Sequence, residues 1–291
     1  VREALYQLSY GPRARLSGRY PGAMPATTLR QVVEAMERWY PPRLASDWDA
    51  VGLTCGDPTM SVSRILLAID PVASVVDEAI ESGCDLVITH HPMFLRPIHS
   101  VAATTPKGSI VHTLISSGVA LYCAHTNADH ANPGVSDALA ACLGLRDVRP
   151  LVPMPGEPGT VGTGRVGDLA EAVTLEQFAE LVAVVLPQTA HGVRVAGDPQ
   201  HLVRTVAVCA GSGDAFLADA ARVADVYLTS DLRHHRAQDH LADDGCALVD
   251  VAHWAGEWPW LGQAADGLRR WAIDRGTSVE VLVSAQPTDP W

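Results

Sequence analysis

The strongest constraint on the fold is a pattern of short buried strands that alternate with helices and recur at a fixed distance. Residues 65–70 (ILLAID) and 85–89 (DLVIT) are apolar runs typical of buried strands, and a helical pattern over 74–82 separates them. Two similar runs, at 206–210 and 226–230, follow 140 residues later. Because alternating strands and helices form βαβ units, the pattern predicts a largely parallel sheet in each half.

A third strand in each half strengthens this interpretation. Residues 119–124 form an apolar run that leads into His125, and residues 245–252 form a similar run that leads into His253. The spacing of the three strands is thus nearly the same in both halves. The sequence therefore predicts an α/β fold built from two similar lobes with mixed or parallel sheets.

The predicted domain boundaries follow from changes in composition. Residues 1–24 carry four arginines and one acidic residue, and we expect an N-terminal extension that is disordered or not native. Residues 25–148 form the predicted first lobe and residues 149–291 the second, whose last helix can pack back on the first. The Pro- and Gly-rich stretch 150–165 is either a linker or a hairpin between the lobes.

Charge and cysteine content narrow the functional classes. A net charge of −12 over 291 residues argues against general nucleic-acid binding. No apolar run approaches the roughly 18–20 residues that cross a bilayer, so no membrane partner is expected. The six cysteines are scattered without a CxxC pair, which favours reduced thiols and a cytoplasmic location.

Polar side chains accumulate where the predicted strands end. In parallel sheets, ligands bind beyond the carboxyl ends of the strands, so these side chains are expected to share a site. The spacing of four between His253 and Glu257 places both on one face of a helical turn. The candidate residues are His90, His91, His125, Asp129, His253 and Glu257.

Imidazole and carboxylate groups together favour a metal centre. They suit divalent zinc, iron, manganese or nickel, and magnesium is not distinguished by the sequence. Such a set offers more ligands than one tetrahedral zinc needs. It fits two divalent cations bridged by a carboxylate, an arrangement that activates water and clamps a phosphate or amide oxygen.

Structural alternatives exist for several of these residues. Glu257 can simply begin the final helix, and Asp231 can be a helix N-cap. His234 and His235 lie past a strand end, where they can cap a helix. Residues 211–214 (GSGD) are interpreted as a tight turn from strand to helix, with an anion cradle as the alternative.

Several segments resemble the NIF-three-like family, whose members are labelled GTP cyclohydrolase I type 2 homologues. They occur in the family order across residues 27–285. The matching segments are 47–57 (DWDAVGLTCGD), 88–101 (ITHHPMFLRPIHSV), 125–145 (HTNADHANPGVSDALAACLGL), 210–214 (AGSGD), 229–231 (TSD) and 250–257 (DVAHWAGE).

The resemblance implies a dinuclear metal site in the cleft between two α/β lobes and assembly into a homohexamer. It implies that His125 lies beside the site, either as a residue that supports the metal ligands or as a group that transfers protons. It also implies a set of metal ligands in which Glu257 bridges the two ions. These ligands are His90, His91, Asp129, His253 and Glu257.

The resulting hypothesis is a divalent-metal-dependent hydrolase. The expected substrate is a small molecule, either nucleotide-like or a cyclic C–N or phosphorylated compound, and the family label points to GTP. The alternative is a hexameric, metal-binding assembly that binds a ligand or regulates a partner without turnover. A metal-handling role is less natural, because the ligand set contains no cysteine thiolate.

Overall fold

The computed structural model describes residues 26–291, so the expectation for residues 1–24 lies outside the described residues. The strands are β1 (Thr27–Thr28), β2 (Gly52–Cys55), β3 (Ser61–Val62), β4 (Arg64–Ala68), β5 (Leu86–Thr89), β6 (Ala120–Cys123), β7 (Arg146–Pro153), β8 (Gly162–Thr174), β9 (Val193–Ala196), β10 (Leu202–Ser212), β11 (Val226–Ser230), β12 (Ala247–Val251) and β13 (Glu280–Val283). The helices are α1 (Leu29–Trp39), α2 (Ala73–Glu81), α3 (Pro106–Ser117), α4 (Thr126–His130), α5 (Val135–Cys142), α6 (Leu175–Val185), α7 (Leu217–Ala221), α8 (His234–Ala242), α9 (His253–Glu257) and α10 (Pro259–Asp274).

The first large sheet has the strand order β13-β4-β5-β6-β2. Strands β13, β4, β5 and β6 are parallel, and β2 pairs with β6 in the antiparallel direction. Helices α2 and α3 cover the outer face, where Val75 and Leu114 belong to a cluster with Leu66 and Val87. Because the central strands are buried on both faces, their sequences are continuous apolar runs.

The second large sheet has the order β7-β8-β10-β11-β12-β9. Strands β10, β11 and β12 are parallel, and the remaining three pair with their neighbours in the antiparallel direction. Strands β7 and β8 pair with each other, so the Pro- and Gly-rich stretch 150–165 forms a hairpin at the edge of this sheet. The predicted α/β fold with mixed or parallel sheets is confirmed, but the expectation of a largely parallel sheet holds only for the first half, since three of the five strand pairings in the second sheet are antiparallel.

Both parallel cores are anchored by an aspartate at equivalent positions, 140 residues apart. Asp85 precedes β5, and its Oδ2 accepts a hydrogen bond from the backbone N–H of Arg64 at 3.1 Å. Asp225 precedes β11, and its Oδ2 accepts one from the backbone N–H of Arg204 at 2.9 Å. The two carboxylates therefore tie together the same pair of strands in each half, which supports the interpretation of an internal repeat.

A shared core joins the two sheets. The largest hydrophobic cluster contains Leu67 and Ile88 of the first sheet together with Val206 and Leu228 of the second. Helices α1, α5, α9 and α10 contribute to this cluster, so they lie between the sheets. The strands of both lobes thus pack against one middle layer.

A buried ion pair links the second sheet to this middle layer. Arg165 of β8 is 1% exposed and donates to both carboxylate oxygens of Asp137 in α5, each at 2.7 Å. Its remaining donors bond to backbone carbonyls, including that of Gly162 at 2.7 Å. A buried guanidinium is tolerated only when it is satisfied in this way.

The segment that follows α10 returns to the first lobe. Strand β13 pairs with β4 in the parallel direction, from Glu280 opposite Arg64 to Val283 opposite Leu67. The boundary between residues 148 and 149 stays a prediction. In the part of the chain that the structure describes, no helix combines the length and apolar character needed to cross a membrane. All six cysteines are free thiols.

We expect the variants Asp85→Ala and Asp225→Ala each to lower the free energy of unfolding by about 1–3 kcal/mol, because each leaves strand N–H groups without their acceptor. Urea denaturation monitored by circular dichroism measures this change. Asp243→Ala removes an exposed aspartate and serves as the control, with an expected change of at most about 0.5 kcal/mol. Equal midpoints for all three variants would contradict the anchoring role.

Candidate metal centre

His90 and His91 lie directly after β5, at the carboxyl end of the first parallel sheet. Their backbone N–H groups bond to the carbonyl oxygens of Ala68 at 3.2 Å and Ile69 at 2.8 Å, so strand pairing continues up to the site. His90 is completely buried, and the His91 side chain is 22% exposed. The chain therefore presents both imidazoles from a rigid position.

The neighbouring strand β6 leads to His125 and Asp129, one helical turn apart. The backbone N–H of Asp129 bonds to the carbonyl oxygen of His125 at 3.1 Å. The Asn127 side chain accepts from the backbone N–H of His125 at 2.9 Å and donates to the carbonyl oxygen of Tyr40 at 2.6 Å. This buried amide fixes the turn that aims Asp129 towards His90.

The second lobe contributes the short helix α9, which follows β12. His253 is its first residue and Glu257 its last, and the spacing of four brings His253 Nε2 to within 2.9 Å of Glu257 Oε1. Glu257 is 3% exposed. It therefore does not begin the final helix but ends the turn that carries the site.

The side chains from both lobes converge on Glu257. His90 Nε2 lies 3.4 Å from Oε1, and His91 Nε2 lies 3.1 Å from Oε2. Asp129 Oδ1 lies 3.7 Å from His90 Nε2. Ligand atoms that share one tetrahedral zinc ion, each at about 2.0–2.2 Å from it, lie roughly 3.3–3.6 Å apart. The observed spacings are of this size.

Three polar atoms at the centre of the cluster are buried and form no hydrogen bond within the described residues. They are His90 Nε2, Asp129 Oδ1 and Glu257 Oε2. Burying such atoms without a partner costs free energy, so their presence in one place calls for a ligand. An imidazole nitrogen and two carboxylate oxygens are donors to a divalent cation, and the residues therefore fit a metal ion.

The outer nitrogen of each imidazole is already occupied. His91 Nδ1 donates to Asp70 at 2.7 Å, and His253 Nδ1 donates to Asp231 at 2.7 Å. His90 Nδ1 donates to the carbonyl oxygen of Ala124 at 2.9 Å. These bonds place a proton on Nδ1 and make Nε2 the nitrogen that would bind a cation in place of its own proton, as second-layer partners of metal-bound histidines do.

The electrostatics favour positive charge at the centre. Burial lowers the pKa of both His91 and His253, but Glu257 together with Asp70 at His91 and Asp231 at His253 outweighs it, and the pKa values are raised to about 10 and about 11. Burial alone would raise the pKa of Glu257, yet the imidazoles of His253, His91 and His90 hold this pKa well below its usual range. A bound cation would be stabilised by the same carboxylate charge.

His125 lies beside the cluster rather than at its centre. Its ring contacts those of His90 and His91, with centroids 5.2 and 5.6 Å away. Its Nδ1 donates to Asp49 at 2.8 Å. Burial would raise the pKa of Asp49, but the hydrogen bonds from His125 and Thr126 lower it below its usual range. The carboxylate is therefore ionised and fixes the imidazole.

The structure brings together all six candidates from the sequence. Two overlapping groups have geometry compatible with a metal ion, His90 with His91 and His125, and His91 with His253 and Glu257. His234 and His235 lie outside both groups and are exposed. The assignment of individual ligands stays a proposal.

Sequence reasoning missed the carboxylates that orient the imidazoles and one glycine. Asp231 has a positive φ of 58° and bonds to His253 instead of capping α8, whose N-cap is Arg233. Gly211 has φ +71°, and a Cβ there would lie 2.4 Å from Glu257 Oε1 and 3.0 Å from His253 Nε2. The tight turn predicted at 211–214 could have indicated this glycine, but the residues that it contacts, His253 and Glu257, are distant in the chain.

Fold and site together define a two-lobed α/β protein whose carboxyl-end cleft gathers side chains able to hold a metal ion. The model of the family described as Duf34/NIF3 (NGG1p interacting factor 3) matches residues 27–290. The chain belongs to this family, as its motifs indicated.

Relatives and solved structures agree with this assignment. A Streptomyces coelicolor protein named GTP cyclohydrolase 1 type 2 homolog is 51% identical over 266 residues, covering 90% of this chain and 93% of that protein. A Mycobacterium leprae protein of the same name is 36% identical over an alignment of 373 positions, which covers 90% of this chain and 94% of that protein. The crystal structure of a Bacillus cereus protein related to NIF3 superposes with a TM-score of 0.85 at 26% identity, covering 92% and 99%.

We predict that Gly211→Ala weakens the binding of added Zn²⁺ by roughly 10–100-fold, because the new methyl group displaces Glu257 and His253. Competition with a chromophoric chelator measures the affinity. Gly118→Ala is the matched control, since Gly118 at the end of α3 also has a positive φ, +69°, but its Cβ would meet nothing within 4 Å. Wild-type affinity in Gly211→Ala would exclude a metal position at this turn.

Proposed function

We propose that this chain is a divalent-metal-dependent hydrolase with a dinuclear centre in the cleft between its lobes. The observation that carries the proposal is the convergence of three Nε2 atoms on Glu257, next to buried polar atoms without partners. One carboxylate between several imidazoles is the arrangement expected of a bridging ligand.

Two metal positions follow from which atoms lie together. His90, Asp129 and one oxygen of Glu257 would hold the first ion, on the buried side. His91, His253 and Glu257 would hold the second, on the more exposed side. The donor set of nitrogen and oxygen suits Zn, Fe, Mn, Ni or Mg.

A pair of divalent cations would supply a water of lowered pKa and would neutralise anionic charge on a ligand. This second property matters because the protein carries a net charge of −12 and would otherwise repel a phosphorylated substrate.

His125 is the residue we assign to proton transfer. Since its Nδ1–H is committed to Asp49, its Nε2 is the atom that accepts a proton from water or passes one to a leaving nitrogen. Asp49 is itself held by Thr126, whose backbone N–H donates to Oδ2 at 3.0 Å. The pair can therefore hold a proton at a defined place beside the metal positions.

An exposed aromatic ring at the mouth of the site favours a planar substrate. Trp48 is 61% exposed, and its ring meets that of His125 edge-on at a centroid distance of 5.9 Å. A heterocycle can stack on such a face. Together with the names of the relatives, this supports a nucleotide-like or cyclic C–N substrate, with GTP as the first to test.

We also propose a homohexamer, because the family resemblance implies one. Light scattering after size-exclusion chromatography measures its mass. A stable hexamer that binds a ligand tightly but turns over no nucleotide, phosphoester or cyclic amide would favour the alternative of a regulatory, metal-binding assembly.

We predict that His91→Ala and Glu257→Gln lower the metal content of the purified protein, measured by inductively coupled plasma mass spectrometry. His91→Ala should lose the second ion only, whereas Glu257→Gln should reduce both, because Glu257 faces both positions. Circular dichroism should remain unchanged, since the core is large. Glu171→Gln alters an exposed glutamate and is the control. Normal metal content in both site variants would contradict the proposed ligands.

Turnover separates the roles of His125 and Trp48. In metal-loaded protein, His125→Asn should lower kcat by about 10²–10⁴-fold at unchanged metal content, as loss of a proton-transfer group does. Trp48→Ala should mainly raise KM. Formate released from GTP is the readout. Absence of formate from wild-type protein with confirmed metal would reject GTP as the substrate.

A further inference from the structure

The segment 284–291, which follows β13, leaves the first sheet and runs towards the candidate metal centre. Ser284 fixes its start: its N–H bonds to the carbonyl oxygen of Leu67 at 2.8 Å, and its carbonyl oxygen accepts from Trp258 Nε1 at 3.1 Å. The Ser284 hydroxyl also donates to Glu78 at 2.7 Å. The path of the segment is thus set by the strand end and by two helices of the protein.

Thr288 of this segment contacts the carboxylate that orients His91. Its hydroxyl donates to Asp70 Oδ2, while Asp70 Oδ1 accepts from His91 Nδ1 at 2.7 Å. The Thr288 side chain is half-buried, and the side chains of Asp70 and His91 are 24% and 22% exposed. A chain of hydrogen bonds therefore runs from the segment to an imidazole of the site.

The same three groups occur in the same order at His125. There, Thr126 donates to Asp49 Oδ2, and Asp49 Oδ1 accepts from His125 Nδ1 at 2.8 Å. The difference is that Thr126 is the residue next to His125, whereas Thr288 lies nearly 200 positions away from His91. The hydrogen bonds at His125 are therefore local in the sequence, whereas those at His91 depend on where the segment 284–291 lies.

The third pair of an imidazole and its carboxylate, His253 with Asp231, lacks such a hydroxyl donor among the described residues. Asp231 accepts from His253 Nδ1 through Oδ2, and no threonine or serine hydroxyl of the described residues bonds to its other oxygen. His253 is also the more exposed histidine of the second position, at 30%. Of these two histidines, His91 is therefore the one whose orienting carboxylate is held by a hydroxyl.

We propose that Thr288 is a positioning residue for the second metal position, acting through Asp70 on His91. The proposal rests on the proposed metal centre. With its outer oxygen held, the Asp70 carboxylate cannot turn away, and His91 Nε2 stays aimed at Glu257. Without the hydroxyl, water competes for Asp70, and the imidazole loses part of its preorganisation.

The first metal position does not depend on the hydrogen bonds that link Thr288, Asp70 and His91. His90 Nδ1 bonds to the carbonyl oxygen of Ala124, and within the described residues neither His90 nor Asp129 has a hydrogen bond to Thr288 or Asp70. Loss of the Thr288 hydroxyl should therefore affect one ion and leave the other unchanged. A general loss of structure would affect both.

Thr288→Val tests the proposal, because valine has the shape of threonine without the hydroxyl. Zn²⁺ titration against a chromophoric chelator should show two ions in the wild type. In Thr288→Val, one should bind about tenfold more weakly and the other as before. Thr288→Ser should restore wild-type binding. Within the described residues, the Thr277 hydroxyl bonds to the carbonyl oxygen of Ala272 in α10, far in the chain from the site residues, so Thr277→Val should leave the binding of both ions unchanged.

A double-mutant cycle shows whether the effect passes through Asp70. In an Asp70→Ala background, Thr288→Val should weaken Zn²⁺ binding no further, because the intervening carboxylate is absent. Full additivity would overturn the proposal, and so would equal weakening of both ions or unchanged binding in Thr288→Val. Wild-type protein that binds no Zn²⁺ would overturn the metal centre itself, which separates the two failures.

Discussion

The site depends on one buried carboxylate. Glu257 is 3% exposed, and removing a carboxylate from water is costly unless opposite charge compensates it. The imidazoles of His90, His91 and His253 surround it at 2.9–3.4 Å and supply that compensation. The same field that holds the pKa of Glu257 down raises the pKa of His91 and His253, so protons or cations must occupy the centre. A divalent cation that bound there would replace these protons.

The fold places this carboxylate by joining two parallel sheets through one layer of helices. Carboxyl ends of parallel strands lie at one edge of a sheet, so β5 and β6 deliver His90, His91 and His125 to the same edge. The second sheet delivers α9 to the same place, and the shared core holds the two edges together. Neither lobe alone contains all six candidate side chains.

The sequence predicted what depends on local pattern and failed where distant contacts decide. The buried strands and the position of His90 and His91 follow from apolar runs and their ends. The spacing of His253 and Glu257 follows from the helical period. Asp70 and Thr288 could not be found in this way, because nothing near them in the chain indicates that they meet. The pairing of β13 with β4 was missed for the same reason, since short strands carry no mark of their partner.

The two halves have similar strands at an offset of 140 residues, yet they contribute different side chains to the site. Residue 91 and residue 231 are equivalent by the 140-residue offset, yet His91 faces the centre while Asp231 orients His253. Asp70, which orients His91, corresponds to Ala210 in the second half. His125 and His253 end equivalent strands, and each has an aspartate on its Nδ1. The two halves thus use the same strand ends, but they exchange the roles of imidazole and carboxylate. Because residue 210 is an alanine, the first strand of the second half offers no carboxylate, and the one that orients His253 comes from Asp231 at the end of the second strand instead.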